Sequence, residues 1–103
     1  QNETNIIIIN DKIKEKLNIY TNNKNYNNTT HMKIGNYYNK IINHIPKHLT
    51  HIIFGDDYNQ ILPNLPDNLT HLIFGKIYNQ ILPHLPNSLT HLSFGNIYNQ
   101  VLP

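Results

Sequence analysis

The sequence predicts a β-rich solenoid: thin coils of 20 residues whose strands stack into one parallel sheet, closed by a non-helical return. Three observations predict it. Tyr58-Asn59-Gln60-Ile61-Leu62-Pro63 opens a unit that restarts at Tyr78 and again at Tyr98, without a gap. A fixed period of this length is the signature of a stacked array. Leu72 and Phe74 are two apart, so they point to one side of a strand, while His71 and Ile73 point to the other. Finally, Leu82-Pro83-His84-Leu85-Pro86 cannot lie inside an α-helix. Roughly 20 residues cannot hold a strand, a long helix and two turns, so the return is extended or a tight turn.

Residues 1–28 do not follow the repeat and read as an N-terminal cap. Asn5-Ile6-Ile7-Ile8-Ile9 predicts a strand, because consecutive β-branched residues are stiff at χ1. Asn10 or Asp11 can cap a short helix that places Ile13 and Leu17 on one face and ends at Asn18. The polar segment 21–28 predicts a loop. An atypical terminal unit is expected, since its outer face meets water.

The repeats then occupy 29–48, 49–68 and 69–88, with an incomplete copy at 89–103. Thr30-His31-Met32-Lys33-Ile34-Gly35 aligns with Thr50 to Gly55, Thr70 to Gly75 and Thr90 to Gly95. The first copy is degenerate: Thr29 replaces Leu49, Leu69 and Leu89, and Asn43 replaces Pro63, Pro83 and Pro103. Stacking turns equivalent positions into columns. Met32, Ile52, Leu72 and Leu92 form one inner column, and Ile34, Phe54, Phe74 and Phe94 a second. Leu62, Leu82, Leu102, Leu65 and Leu85 line the return wall. Each buried Leu or Phe contributes roughly 1.5–3 kcal/mol, and no coil is stable without neighbours to complete its core. Asn39, Asn59, Asn79 and Asn99 are expected to form a buried, hydrogen-bonded amide ladder between coils, a structural role.

The spacing Leu69-x-x-Leu72-x-Phe74 resembles the leucine-rich repeat. The full unit Tyr-Asn-Gln-x-Leu-Pro-x-Leu-Pro-x-x-Leu-Thr-His-Leu-x-Phe-Gly resembles the FNIP repeat, a short leucine-rich-like repeat of social amoebae and giant DNA viruses of amoebae. Two departures are Tyr58, Tyr78 and Tyr98 in place of the usual Phe, and a 20-residue unit slightly shorter than the common one. The 20-residue variant with Ile-Leu-Pro looks more like the viral proteins. The resemblance implies a protein-interaction role, in some members as the substrate receptor beside an F-box. No F-box is recognisable in residues 1–28. The resemblance also implies a cytoplasmic location, the host cytoplasm for a viral protein.

Composition narrows the function classes. The 103 residues include no Cys, which excludes disulfides and thiolate metal sites. The net charge of +2 comes from scattered lysines and does not predict a nucleic-acid partner. The longest apolar run, Ile6 to Ile9, is far short of the roughly 20 residues of a membrane span. No phosphate-binding loop exists, because the four glycines stand 20 residues apart. The acids Glu3, Asp11, Glu15, Asp56, Asp57 and Asp67 form no convincing catalytic pair, and Ser93 has no base with an orienting partner. No enzyme, cofactor or resident metal is therefore expected.

The expected partner-binding surface is the outward sheet face: His31, His51, His71 and His91, with Lys33, Ile53, Ile73 and Ser93 beside them. Three chemistries are open to the histidine column. It can be a neutral stacked ladder, a pH-sensitive surface whose like charges lower each pKa, or a row that binds a transition metal poorly because it is flat. The alternative to a binding module is self-assembly. The copy beginning at Tyr98 stops at Val101-Leu102-Pro103, and an open coil could pair with a second molecule as a homodimer.

Overall fold

The structure, a computed structural model, describes residues 6–9, 19–21 and 29–103. Six strands form one sheet: β1 (Ile6–Ile9), β2 (Ile19–Thr21), β3 (His31–Ile34), β4 (His51–Ile53), β5 (His71–Ile73) and β6 (His91–Ser93). Their spatial order is β2-β1-β3-β4-β5-β6. The five strands from β1 to β6 are parallel, and β2 pairs antiparallel with the outer edge of β1. The solenoid with a parallel sheet and a return lacking helix is the architecture that the repeat dictates.

Register follows the period. His31, His51, His71 and His91 are mutual partners across β3 to β6, as are Met32, Ile52, Leu72 and Leu92. β1 extends the array by one rung: Ile7 pairs with Met32 and Ile9 with Ile34, and all four are buried. The Ile run therefore supplies a rung of the inner columns as well as a cap. Thr21, expected in a loop, belongs to β2. The expected helix at 10–18 lies outside the described residues.

Each coil turns twice. After the strand, the N–H of Tyr58 donates to the carbonyl of Gly55 at 3.3 Å, closing a four-residue turn. After the return, the N–H of Leu69 donates to the carbonyl of Pro66 at 3.2 Å, closing a second. Pro66 fixes φ at the entry to that turn and has no N–H to leave unpaired. Neither turn uses a positive φ. The repeated glycine answers to close approach instead. A Cβ on Gly75 would lie 2.4 Å from the carbonyl oxygen of Gly55, and one on Gly55 equally close to that of Gly35.

The core is one cluster between sheet and return wall. It holds Ile7, Ile9, Met32, Ile34, Ile52, Phe54, Leu72 and Phe74 from the sheet side, and Leu62, Leu65 and Leu82 from the return. Phe54 and Phe74 stack at 5.0 Å, and Tyr58 and Tyr78 at 6.3 Å, with near-parallel rings. In the last coil Leu92, Phe94 and Tyr98 are only partly buried, because no further coil covers them in this chain.

Candidate functional site: the outward face of the sheet

The inner residues of β3, β4 and β5 are buried and Leu92 of β6 partly so, and the alternation turns His31, Lys33, His51, Ile53, His71, Ile73, His91 and Ser93 to the opposite face. The four imidazoles make one continuous stack. Ring centroids are 4.1 Å apart from His31 to His51, 4.1 Å from His51 to His71 and 4.0 Å from His71 to His91, with planes within 11° of parallel.

What holds each ring at that angle is the threonine before it. Nδ1 lies 2.9, 2.8, 2.7 and 2.8 Å from Oγ1 of Thr30, Thr50, Thr70 and Thr90 respectively. The Thr-His dipeptide repeats in every copy, and it works as a unit: the hydroxyl orients the ring and stacking locks it. The hydroxyls of Thr50, Thr70 and Thr90 also lie 3.2, 3.0 and 3.2 Å from the threonine carbonyl one coil back.

Electrostatically the column acts on itself. The pKa of His31 is lowered by partial burial and then by His71. That of His51 is lowered by burial, then by His31 and His91. That of His71 is lowered by loss of water, then by His91 and His51. No carboxylate or ammonium group figures among these causes. The neighbouring column, Lys33, Ile53, Ile73 and Ser93, carries three residue types over four coils, and Ile8 of β1 continues it beside Lys33. An invariant polar column thus runs beside a variable one.

The asparagine ladder sits elsewhere, where the return begins, and its chemistry differs from the expected amide-to-amide form. The N–H groups of Asn59, Asn79 and Asn99 donate to Oδ1 of Asn39, Asn59 and Asn79 at 2.8, 2.9 and 3.1 Å. Nε2 of Gln60, Gln80 and Gln100 donates to the same oxygens at 3.2 Å each. The asparagines are not buried: Asn39 and Asn99 are exposed, and Asn59 and Asn79 half-buried. The return has no strand pairing, so a side-chain oxygen takes over the work of a backbone carbonyl.

Sequence reasoning passed over one column altogether. Ile41, Ile61, Ile81 and Val101 are between 62% and 86% exposed, yet every copy places a β-branched aliphatic there. Ile61, Ile81 and Pro83 border a shallow groove of about 370 Å³. The signal was present: the variable position of the Gln-x-Leu-Pro block never carries a polar residue. Among the described residues, no three His, Cys, Asp or Glu side chains are grouped so as to hold a metal ion. No described helix is long and apolar enough to cross a membrane.

Comparison with known proteins agrees with this geometry. A crystal structure described as CroV588, a novel circular leucine-rich-repeat protein, from a giant virus, superposes with a TM-score of 0.67 at 47% identity. The match covers 73% of this chain and 12% of that one, so this chain spans only a small part of that protein's length. Among curated proteins none matches significantly. The FNIP Repeat family model matches at residues 27–57, 38–77, 58–96 and 78–102. Successive matches overlap across the whole array of stacked coils, and the chain belongs to the FNIP repeat family.

Proposed function

We propose that this array is a non-catalytic protein-interaction module whose partner docks on the outward face of the sheet. The observation that carries the reading is the pairing of an invariant Thr-His column with a variable column on one flat, accessible face. A rigid framework that repeats while a neighbouring column changes lets a surface be specific at no cost to packing. A photocrosslinking residue at position 73 should capture a protein partner, while the same residue at position 81 on the return wall should not. With the crosslinking residue kept at position 73, replacing His51 and His71 by Asn should abolish capture and leave the melting temperature nearly unchanged. Capture at position 81 and not at 73 would move the interface to the return wall.

A second reading, that the array serves assembly, is favoured by β6. Among the described strands it pairs only with β5, and Leu92, Phe94 and Tyr98 beneath it are partly open. Another coil of the same unit fits that edge, whether from a longer circular array, as in the matched giant-virus protein, or from a second copy. Light scattering across a concentration series separates the outcomes. A dimer that dissociates on dilution supports pairing of copies, and a monomer at every concentration rules it out.

A further inference from the structure

The return wall carries a surface that docking on the sheet face leaves unexplained. Ile41, Ile61, Ile81 and Val101 stand mostly in solvent. The other exposed columns each carry a polar or charged residue in at least one copy, as Asp57 does among Tyr37, Ile77 and Ile97. Extended backbone accounts for a β-branched residue at this position, but threonine is equally stiff. The chain places threonine at 30, 50, 70 and 90 and never in this column. What the position keeps is therefore apolarity.

The pitch of the coils turns the column into ridges and grooves. Equivalent rings mark that pitch directly. It is 4.0–4.1 Å between the imidazoles on the sheet face and 5.0–5.3 Å between Phe54, Phe74 and Phe94. It reaches 6.3 Å between Tyr58, Tyr78 and Tyr98, where the return begins. The coils thus splay apart toward the return. Apolar side chains are in contact at roughly 4 Å, so at the imidazole pitch they would close ranks, while at the tyrosine pitch they part. Between Ile61 and Ile81 the gap is the groove of about 370 Å³, lined also by Leu62, Leu82, Gln80 and Pro83.

We propose that this column docks a second copy of the chain, meshed antiparallel about a two-fold axis, each aliphatic ridge of one copy seated in a groove of the other. Pitch selects that occupant. Ridges and grooves alternate with one period, so the surface displaced by half a coil is its own complement along the whole column. A helix presents same-face side chains roughly 5–6 Å apart and drifts out of step. An extended peptide, at roughly 6.5 Å, comes nearer but has to be ordered on binding, whereas the ridges of a second copy are already fixed by their coils. Charge permits the pairing. The stripes 60–63 and 80–83 hold no ionisable group, and antiparallel docking sets the Lys40 side chains of the two copies at opposite ends. Area sets its strength. Four ridges of roughly 100 Å² apiece give about half of the roughly 800 Å² that each partner of a stable pair contributes. The half-exposed Gln60, Gln80, Pro63 and Pro83 beside them add to it. The dimer is accordingly weak and reversible. Both copies use one patch, so assembly stops at two. The sheet face and β6 stay free, and a crosslinker at position 81 joins the chain only to another copy of itself.

Sedimentation equilibrium across a concentration series tests this. The chain should form a dimer that dissociates on dilution in the micromolar range. Ile61→Thr with Ile81→Thr keeps the β-branch and should weaken the dimer at least about tenfold. Ile61→Lys with Ile81→Lys should leave a monomer at every concentration, and both pairs should keep the melting temperature of the parent chain. The chain has no cysteine, so introduced thiols report on contact alone. With oxidised glutathione, an equimolar mixture of Ile61→Cys and Ile81→Cys chains should form the mixed disulfide dimer. Ile77→Cys, exposed at the corner of the coil, should not crosslink. A monomer at all concentrations overturns the proposal. So does a dimer that survives the lysine pair, which assigns the pairing of copies to the β6 edge. Binding of a peptide with isoleucine at alternate positions, without self-association of the chain, overturns it in favour of an extended ligand.

Discussion

The backbone N–H of Asn79 donates to Oδ1 of Asn59 at 2.9 Å, exactly one coil back in sequence at a separation of 20 residues. Gln80 closes on the same oxygen at 3.2 Å. One side-chain oxygen thus satisfies a backbone donor and a side-chain donor of the next coil. Removing it strands the N–H of Asn79, while Gln80 keeps the backbone carbonyl of Asn59 at 3.3 Å, and a stranded part-buried donor costs about 1–3 kcal/mol. Asn59→Ala should therefore destabilise by about 2 kcal/mol in urea denaturation. Asn59→Asp retains the accepting oxygen and should lose much less.

The two inner tyrosines should respond differently to loss of the hydroxyl. Tyr78 donates to the carbonyl of Gln60 at 3.0 Å, whereas the buried hydroxyl of Tyr58 donates to no carbonyl and has only a weak contact with the Ile42 backbone. Tyr78→Phe should cost about 1 kcal/mol, while Tyr58→Phe should cost less. Thr29 is a parallel case: it fills the leucine column fully buried, with its hydroxyl unpartnered. Thr29→Val keeps the volume and should stabilise by about 1 kcal/mol. Thermal melts of the three variants are the check.

Gly75→Ala should be among the most damaging single changes. The added carbon would meet backbone of the preceding coil at 2.4 Å, and backbone cannot swing aside as a side chain can. Forcing coils apart at one corner breaks the ladder on both sides, and a loss of about 3 kcal/mol or more is expected. Gly95→Ala meets backbone at 2.6 Å but lies in the last coil, which has a free side on which to relax. It should cost less, and paired denaturation curves would show the gradient.

Acid should weaken the fold. The imidazoles of His31, His51 and His71 have pKa values below 6.5 in the folded chain, so the unfolded chain binds protons more readily. Stability from this source is fully present above pH 6.5 and is lost as pH falls through the lowered values. Denaturant midpoints should fall between pH 7 and pH 5. His71→Asn should flatten that dependence, since Asn does not titrate. At the alkaline end burial pushes Tyr58 to about 12, so ionisation of unfolded tyrosine should erode stability above about pH 10.

Leu72→Ala should cost about 2–5 kcal/mol, because Leu72 is fully enclosed between Ile52 and Leu92. Leu92→Ala removes the same atoms from a half-covered site and should cost clearly less. Amide hydrogen exchange should show the same gradient, fastest in β6 and slowest in β4, as nearest-neighbour coupling in a stacked array requires.

The sequence by itself determined the architecture. A period of 20, a two-residue alternation at Leu72 and Phe74, and the prolines of the return leave few ways to bury the apolar columns. The outward direction of His71 and Ile73 follows from the same alternation, with no tertiary information needed. Tertiary structure decided what depends on distances between coils. It set the ring stacking at 4.0–4.1 Å, the threonine bonds that orient the rings, and the exchange of an amide ladder for backbone-to-side-chain bonds. It made β1 a rung and placed β2 at its edge, pairings that lie outside the repeat and follow no period. It also left Ile41, Ile61 and Ile81 in solvent, although their residue type reads as core. A repeat states which residues are equivalent. Only the coil's path through space states which equivalents meet, because hydrogen bonds and ring contacts depend on ångström separations that periodicity does not encode.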